Sequence, residues 1–143
     1  MAPELRTTHL VAWIGRQDLD GIRHDPPAGP VVGFLRARPE TTAVLLSDWP
    51  KEDTGRYIAA LRECVPAKIN VRPVKLTDPT DYLGILHAAD AALNELAKRV
   101  QLNDIAIHTS PGTSPMAAVW VRRLGIGKTD AVKAGETIWT RSK

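Results

Sequence analysis

Residues Thr109, Ser110, Pro111, Gly112, Thr113, Ser114, Pro115 and Met116 put several anion-binding features into one short stretch. The hydroxyls of Ser110, Thr113 and Ser114 can each donate a hydrogen bond to a phosphate oxygen. Ser114 is a favourable helix N-cap, and Pro115 suits the first helical position, where a missing N–H costs nothing. The free amides of Met116 and Ala117, with the positive end of the helix dipole, would then face the same concavity. Phosphate binds in such places. Gly112 has no side chain to keep a ligand from the backbone. The same residue types also make an ordinary capped helix start, and spacing alone leaves both readings open.

A second group, Gly15, Arg16, Gln17 and Asp18, follows an apolar run that contains Val11, Trp13 and Ile14. Arg16 is the side chain best suited to a phosphate, because its guanidinium is a fixed fork of donors. Its alternative use is a surface ion pair with Asp18 or Asp20, which would stabilise little.

For these groups to meet, the chain must bring them to one edge of a sheet. Residues 9–15 read as a first strand, and a long polar loop, 16–30, follows with Pro26, Pro27, Gly29 and Pro30 near its end. Loops of that length in a small domain are usually functional. Residues 31–38 make a short helix, and 42–47 a second strand buried on both faces. Tyr57, Ile58, Leu61 and Val65 recur at helical spacing over 53–65, capped by Asp53 or Thr54. A third strand over 68–75 is interrupted by Pro73, which points to a sheet edge. The clearest helix spans 80–100, where Leu83, Leu86, Leu93, Leu96 and Val100 share a face. Ile105 and Ile107 mark a fourth strand over 104–108, and the helix after the hydroxyl-rich loop runs to Leu124 and ends at Gly125. A fifth strand is expected at 129–134 and a sixth at 137–140.

Strands alternating with helices indicate an α/β fold: a Rossmann-like, doubly wound, mainly parallel sheet of five to six strands in a single domain, 1–143. In the common strand order 3-2-1-4-5-6, ligand binds at the carboxyl ends of strands one and four. Those are the two ends at which the unusual loops stand.

Several other motifs fail. Gly125, Gly127, Lys128 and Thr129 look like the tail of a phosphate-binding P-loop, but Arg122 stands where that motif needs glycine. The dinucleotide fingerprint is absent after the first strand, since Gly15-Arg16-Gln17 lacks its second glycine. His9, His24, His87 and His108 have no metal-ligand spacing, so no metal and no cofactor is expected. His108 is close to the expected crevice, although a packed histidine fits a strand end better. The tryptophans Trp13, Trp49, Trp120 and Trp139 read as core and rim packing.

With 143 residues, 43% hydrophobic and 24% charged, the chain has an ordinary globular composition. A net charge of +3 admits an anionic ligand but is too small for a dedicated DNA binder. Cys64 alone cannot form an internal disulfide, which fits a reducing cytoplasm, the expected location. The first eight residues carry Glu4 and Arg6 and no apolar core, so no signal peptide is expected, and no apolar run suggests a membrane span.

Three stretches carry a family resemblance: Trp13-Ile14-Gly15-Arg16-Gln17-Asp18-Leu19, Leu76-Thr77-Asp78-Pro79-Thr80-Asp81-Tyr82, and His108 through Trp120 with its Thr109-Ser110-Pro111-Gly112-Thr113-Ser114-Pro115-Met116 core. Together they resemble the CARF domain, the CRISPR-associated Rossmann-fold sensor, above all the version found in RNA-repair-type enhancer-binding regulators. The resemblance implies a homodimer that binds cyclic oligoadenylate across its two-fold axis, with cyclic tetra-adenylate as the expected ring. It implies ligand contacts from Gly15, Arg16, Gln17 and Asp18 on one side and Thr109, Ser110, Pro111, Gly112, Thr113, Ser114 and Met116 on the other.

Two functions follow from that resemblance. A lone CARF domain is similar to the ring nucleases of type III CRISPR signalling, which need no metal because the ribose 2′-hydroxyl attacks the adjacent phosphate. Arg16, Ser110 and Lys128 would then be the candidate catalytic residues. Ser114 stands where such proteins often carry a lysine or arginine after Gly-Thr, a departure that touches catalysis more than binding. The alternative is a purely sensory domain that controls a partner or an attached effector.

Overall fold

The computed structural model describes residues 8–78, 80–100, 105–108, 112–124, 132–133 and 136–140. Strands β1 (His9–Trp13), β2 (Thr42–Ser47), β3 (Lys68–Pro73) and β4 (Ile105–His108) alternate with helices α1 (Arg16–Gly21), α2 (Pro30–Ala37), α3 (Lys51–Cys64) and α4 (Tyr82–Ala97). Helix α5 (Ser114–Leu124) and strands β5 (Val132–Lys133) and β6 (Glu136–Thr140) complete the chain.

The sheet order is β3-β2-β1-β4-β6-β5. β1 lies parallel to β2 and β4, with Val11 level with Val44 and Ile107, and β2 lies parallel to β3. The reversal of strand order between β1 and β4 is the expected one. The last two strands differ from the expected order, since β6 and not β5 lies against β4, antiparallel to it. Chain length sets how these two strands pair: a parallel crossover needs a dozen or more residues, and only two separate Lys133 from Glu136. The pair therefore forms an antiparallel hairpin, and the longer strand takes the inner position.

Alternation along the strands divides the core into two layers. Leu10, Ala12, Ala43, Leu45 and Ile69 face α2 and α3, packing on Phe34, Leu35, Tyr57 and Leu61. Val11, Trp13, Val44, Leu46, Ile105 and Ile107 face the opposite way, onto Ile85, Leu93 and Leu96 of α4 and Met116, Val119 and Trp120 of α5. Burying each of the large side chains contributes about 2 kcal/mol. β3 is the edge strand, as Pro73 at its end indicated.

Residues 16–30, expected as one long loop, hold a six-residue helix, α1. Its sequence lacks an apolar face that would reveal it; a buried carboxylate organises it instead, as described below. The longest helix starts at Tyr82 and is capped by Asp81, whose side chain accepts the Gly84 amide at 3.1 Å. Parts of the expected fifth strand and the helix stop at Gly125 lie outside the described residues.

Candidate functional site

The carboxyl end of β1 leads into the site. Ile14 still pairs with the sheet, its amide donating to the Leu46 carbonyl at 2.9 Å, and Gly15 then turns the chain into α1. Asp18, one turn into the helix, accepts the Gly15 amide at 2.9 Å and the Val31 amide at 3.0 Å. One carboxylate thus fastens the start of α1 to the start of α2. Asp18 is only 1% exposed. Burial pushes its pKa up to about 6, against the opposing pull of the Val31 and Gly15 amides.

Two close approaches keep the segment between α1 and α2 compact. A side chain at Gly21 would have its Cβ 2.1 Å from the Ala28 carbonyl oxygen. Gly29 has φ +132°, and a Cβ there would lie 3.2 Å from Asp18 Cα. Only glycine fits both places.

Arg16, the first residue of α1, is exposed, and its guanidinium lies over the Trp49 ring, 5.6 Å from the centroid. Trp49 is fixed in turn: its indole N–H donates to the Ile14 carbonyl at 2.6 Å, and its amide donates to Ser47 Oγ at 3.2 Å.

The facing loop comes from β4. Gly112 has φ +94°, a conformation that disfavours any L side chain, and a Cβ there would lie 2.6 Å from Met116 Sδ and 3.3 Å from Trp13 Cβ. Gly112 therefore rests directly on the end of β1. The Thr113 amide points at Met116 Sδ, 3.3 Å away, and α5 begins at Ser114. Met116 itself is buried.

These loops enclose a cleft of about 440 Å³ at the carboxyl ends of the four parallel strands. Its walls are Ile14, Gly15 and Arg16 after β1, Asp48 and Trp49 after β2, Leu76, Thr77 and Asp78 after β3, and Gly112, Thr113 and Met116 after β4. The structure thus brings Gly15 and Arg16 against Gly112, Thr113 and Met116. Gln17 and Ser114 are exposed but are not among the residues that wall the cleft. Asp18, expected to line the crevice, points inward and shapes the loop instead. Thr109, Ser110, Pro111 and Lys128 lie outside the described residues.

Asp48, Trp49, Leu76, Thr77 and Asp78 were not read as site residues from the sequence. The sequence does hold a signal for them, because in a doubly wound sheet every parallel strand delivers its following loop to the same edge. Burial raises the pKa of Asp48. Asp81 braces the loop after β3 by accepting the Thr77 and Gly84 amides, which hold its pKa below the ordinary carboxylate value. Asp78 accepts the Thr80 amide at 2.7 Å. Two carboxylates and one guanidinium therefore line the cleft among the described residues, a set that can accept from an amine and donate to an anion.

His108 is fully buried on the α2 side of the sheet, tilted against Phe34 at 6.1 Å between ring centroids. Burial lowers its pKa to about 4, although a hydrogen bond to the Pro30 backbone opposes the shift. It is the packed histidine that its strand-end position suggested. Among the described residues no group of three or more His, Cys, Asp or Glu could hold a metal ion. No described helix is long and apolar enough to cross a membrane.

No protein-family model matches the sequence, and no curated protein matches it. Solved structures do. The chain is similar to Can2 from Sulfobacillus thermosulfidooxidans in complex with cyclic tetra-adenylate, with TM-score 0.59 and 20% identity over 82% of this chain and 29% of that one. It is also similar to Enterococcus italicus Csm6 bound to cyclic hexa-2′-fluoro-hexa-dAMP, with TM-score 0.68 and 14% identity over 90% of this chain and 35% of that one. The chain spans about a third of the length of each. At such identities the likeness establishes the fold, and that fold is the Rossmann-like α/β architecture expected from the sequence.

Proposed function

We propose that this chain is a CARF domain that binds cyclic oligoadenylate in type III CRISPR antiviral signalling. One observation carries the reading: the cleft joins Gly15 and Arg16 to Gly112 and Thr113 at the point where strand order reverses. Both similar structures hold a cyclic oligonucleotide, which supports the ligand class.

The chemistry of the cleft suits that ligand. Arg16 donates to a phosphate, aided by the N-terminal end of α5 and the hydroxyls around Thr113. Asp78 is an acceptor for the exocyclic amine that adenine presents and that uracil and hypoxanthine lack. Trp49 supplies an aromatic face for a base.

The ring is expected to be cyclic tetra-adenylate, bound by a homodimer in the cytoplasm. Tyr82 and Leu83, 37% and 65% exposed at the start of α4, follow directly on the loop that walls the cleft and are the apolar surface offered to a second copy. No direct DNA contact is part of this reading.

If the ring is cleaved, the ribose 2′-oxygen attacks the adjacent phosphorus in line. The 5′-oxygen leaves, and a 2′,3′-cyclic phosphate end remains. Arg16, with Ser110 and Lys128, would stabilise the charge developing on the phosphoryl oxygens. Asp48, its pKa raised by burial, would take the 2′-hydroxyl proton. A sensory domain that holds the ring intact is the second reading, favoured by Ser114, which stands where the resemblance to ring nucleases leads one to expect a lysine or arginine. Chromatography of the ligand after incubation with the protein separates the two: linear products mean a ring nuclease, an intact bound ring a sensor.

A further inference from the structure

A second cleft, about 360 Å³, lies beside the first, between α1 and α3. The two share only Arg16 and Trp49, so the stacked guanidinium and indole form the wall between them. Its size suits one small-molecule ligand.

Its lining combines two features. The floor is apolar and aromatic, built from Leu19, Ile22, Trp49 and Ala60. The rim is cationic: Arg16, Arg23 and Arg56 face Asp20 and Asp53. Asp53 already accepts Arg56 at 2.7 Å, whereas no described residue forms an ion pair with Arg16 or Arg23. Arg23, without such a pair, and Arg56, whose exposed pair with Asp53 stabilises little, are guanidinium forks over an aromatic floor, a combination that recognises a planar group carrying a phosphate.

Tyr57 also lines this cleft. The residue is 2% exposed, and its phenol oxygen is buried without a hydrogen-bond partner among the described residues.

We propose that the cleft between α1 and α3 is a second binding site, for a nucleoside 5′-monophosphate, held by Arg23 and Arg56 with its base on the apolar floor beside Trp49. This site stands whatever the first cleft binds. Because Arg16 lines both, a ligand that draws the guanidinium to one side weakens binding on the other, and linkage makes the effect reciprocal.

The test uses the full chain and AMP as the probe, with adenosine and inorganic phosphate as separate arms, read by equilibrium dialysis. Arg23→Glu and Arg56→Glu alter exposed side chains outside the first cleft, and an unchanged melting temperature checks their folding. The proposal expects AMP to bind more tightly than adenosine or phosphate alone, and each variant to weaken it at least about tenfold, the loss expected when a charge-assisted contact is reversed. Three results would overturn it: no AMP binding, AMP binding indifferent to both variants, or phosphate alone binding as well as AMP.

Discussion

The indole N–H of Trp49 donates to the backbone carbonyl of Ile14 at 2.6 Å, across 35 residues of sequence. That bond ties the loop after β2 to the end of β1, and the Arg16 guanidinium lies on the ring so fixed. The wall of the cleft is therefore as rigid as one hydrogen bond makes it.

Trp49→Phe keeps an aromatic face and deletes the donor. It should destabilise the fold by about 1 kcal/mol, the net value of such a bond, read as a lower urea midpoint at unchanged slope. Ligand affinity should fall with it. A variant as stable as the parent, with the parent's affinity, would remove Trp49 from the positioning of Arg16.

Gly112 sits at φ +94°, with Met116 Sδ and Trp13 Cβ where a side chain would go. Gly112→Ala should destabilise by about 1–3 kcal/mol, the usual cost of a strained backbone conformation. It should also weaken the ligand, because the loop must shift away from β1. Equal stability in thermal unfolding would mean that the loop has a second, unstrained arrangement.

Two buried groups should set opposing pH dependences. Asp18, with a folded pKa of about 6 against an ordinary value of 3.8, contributes stability that is present below 3.8 and lost as pH rises through 6. His108, lowered from 6.5 to about 4, contributes stability that is present above 6.5 and lost as pH falls through 4. Each effect is worth about 3 kcal/mol, so in the parent they largely cancel between pH 4 and 6.5. Asp18→Asn should expose the His108 slope, with stability rising with pH; His108→Gln should expose the opposite slope. Urea titrations of the three proteins across that range check it, and three parallel profiles would refute it.

Asp48→Asn separates the two proposed activities. If Asp48 takes the 2′-hydroxyl proton, the variant should still bind the ring and cleave it at least about a hundredfold more slowly, the usual worth of general base catalysis. Loss of binding and cleavage together would make Asp48 a ligand contact only.

Leu83→Glu places a charge on the exposed start of α4. It should shift a dimer toward monomer in sedimentation and weaken ring binding with it, while leaving the melting curve of the monomer unchanged. An unaltered dimer would locate the interface elsewhere.

The parallel core was legible in the sequence because β2 and β4 are short apolar runs between turn-formers, and because Leu93 and Leu96 repeat at helical spacing. Order reversal at β1 and β4 brings Gly15, Arg16, Gly112 and Thr113 to one cleft, as the alternation of strands and helices alone predicts. What escaped was less periodic. α1 owes its start to one buried carboxylate that caps Gly15 and reaches Val31, a relationship across 13 residues that no local pattern announces. The same burial turned Asp18 from an expected ligand contact into a structural brace. Trp49 escaped because its bond to Ile14 and its stacking under Arg16 exist only in the folded sheet, although the loop that carries it and Asp48 follows a parallel strand to the site edge. The antiparallel pairing of β5 with β6 follows from the short connection between them, a cue that is present in the spacing.

Calorimetry of the purified protein with cyclic tetra-adenylate and cyclic hexa-adenylate, paired with Arg16→Ala, tests the central claim most directly. Saturable binding of at least one ring, weakened tenfold or more in Arg16→Ala, is the expected result. No binding of either ring by a folded protein would contradict the account and leave the cleft at the ends of β1 and β4 without its ligand.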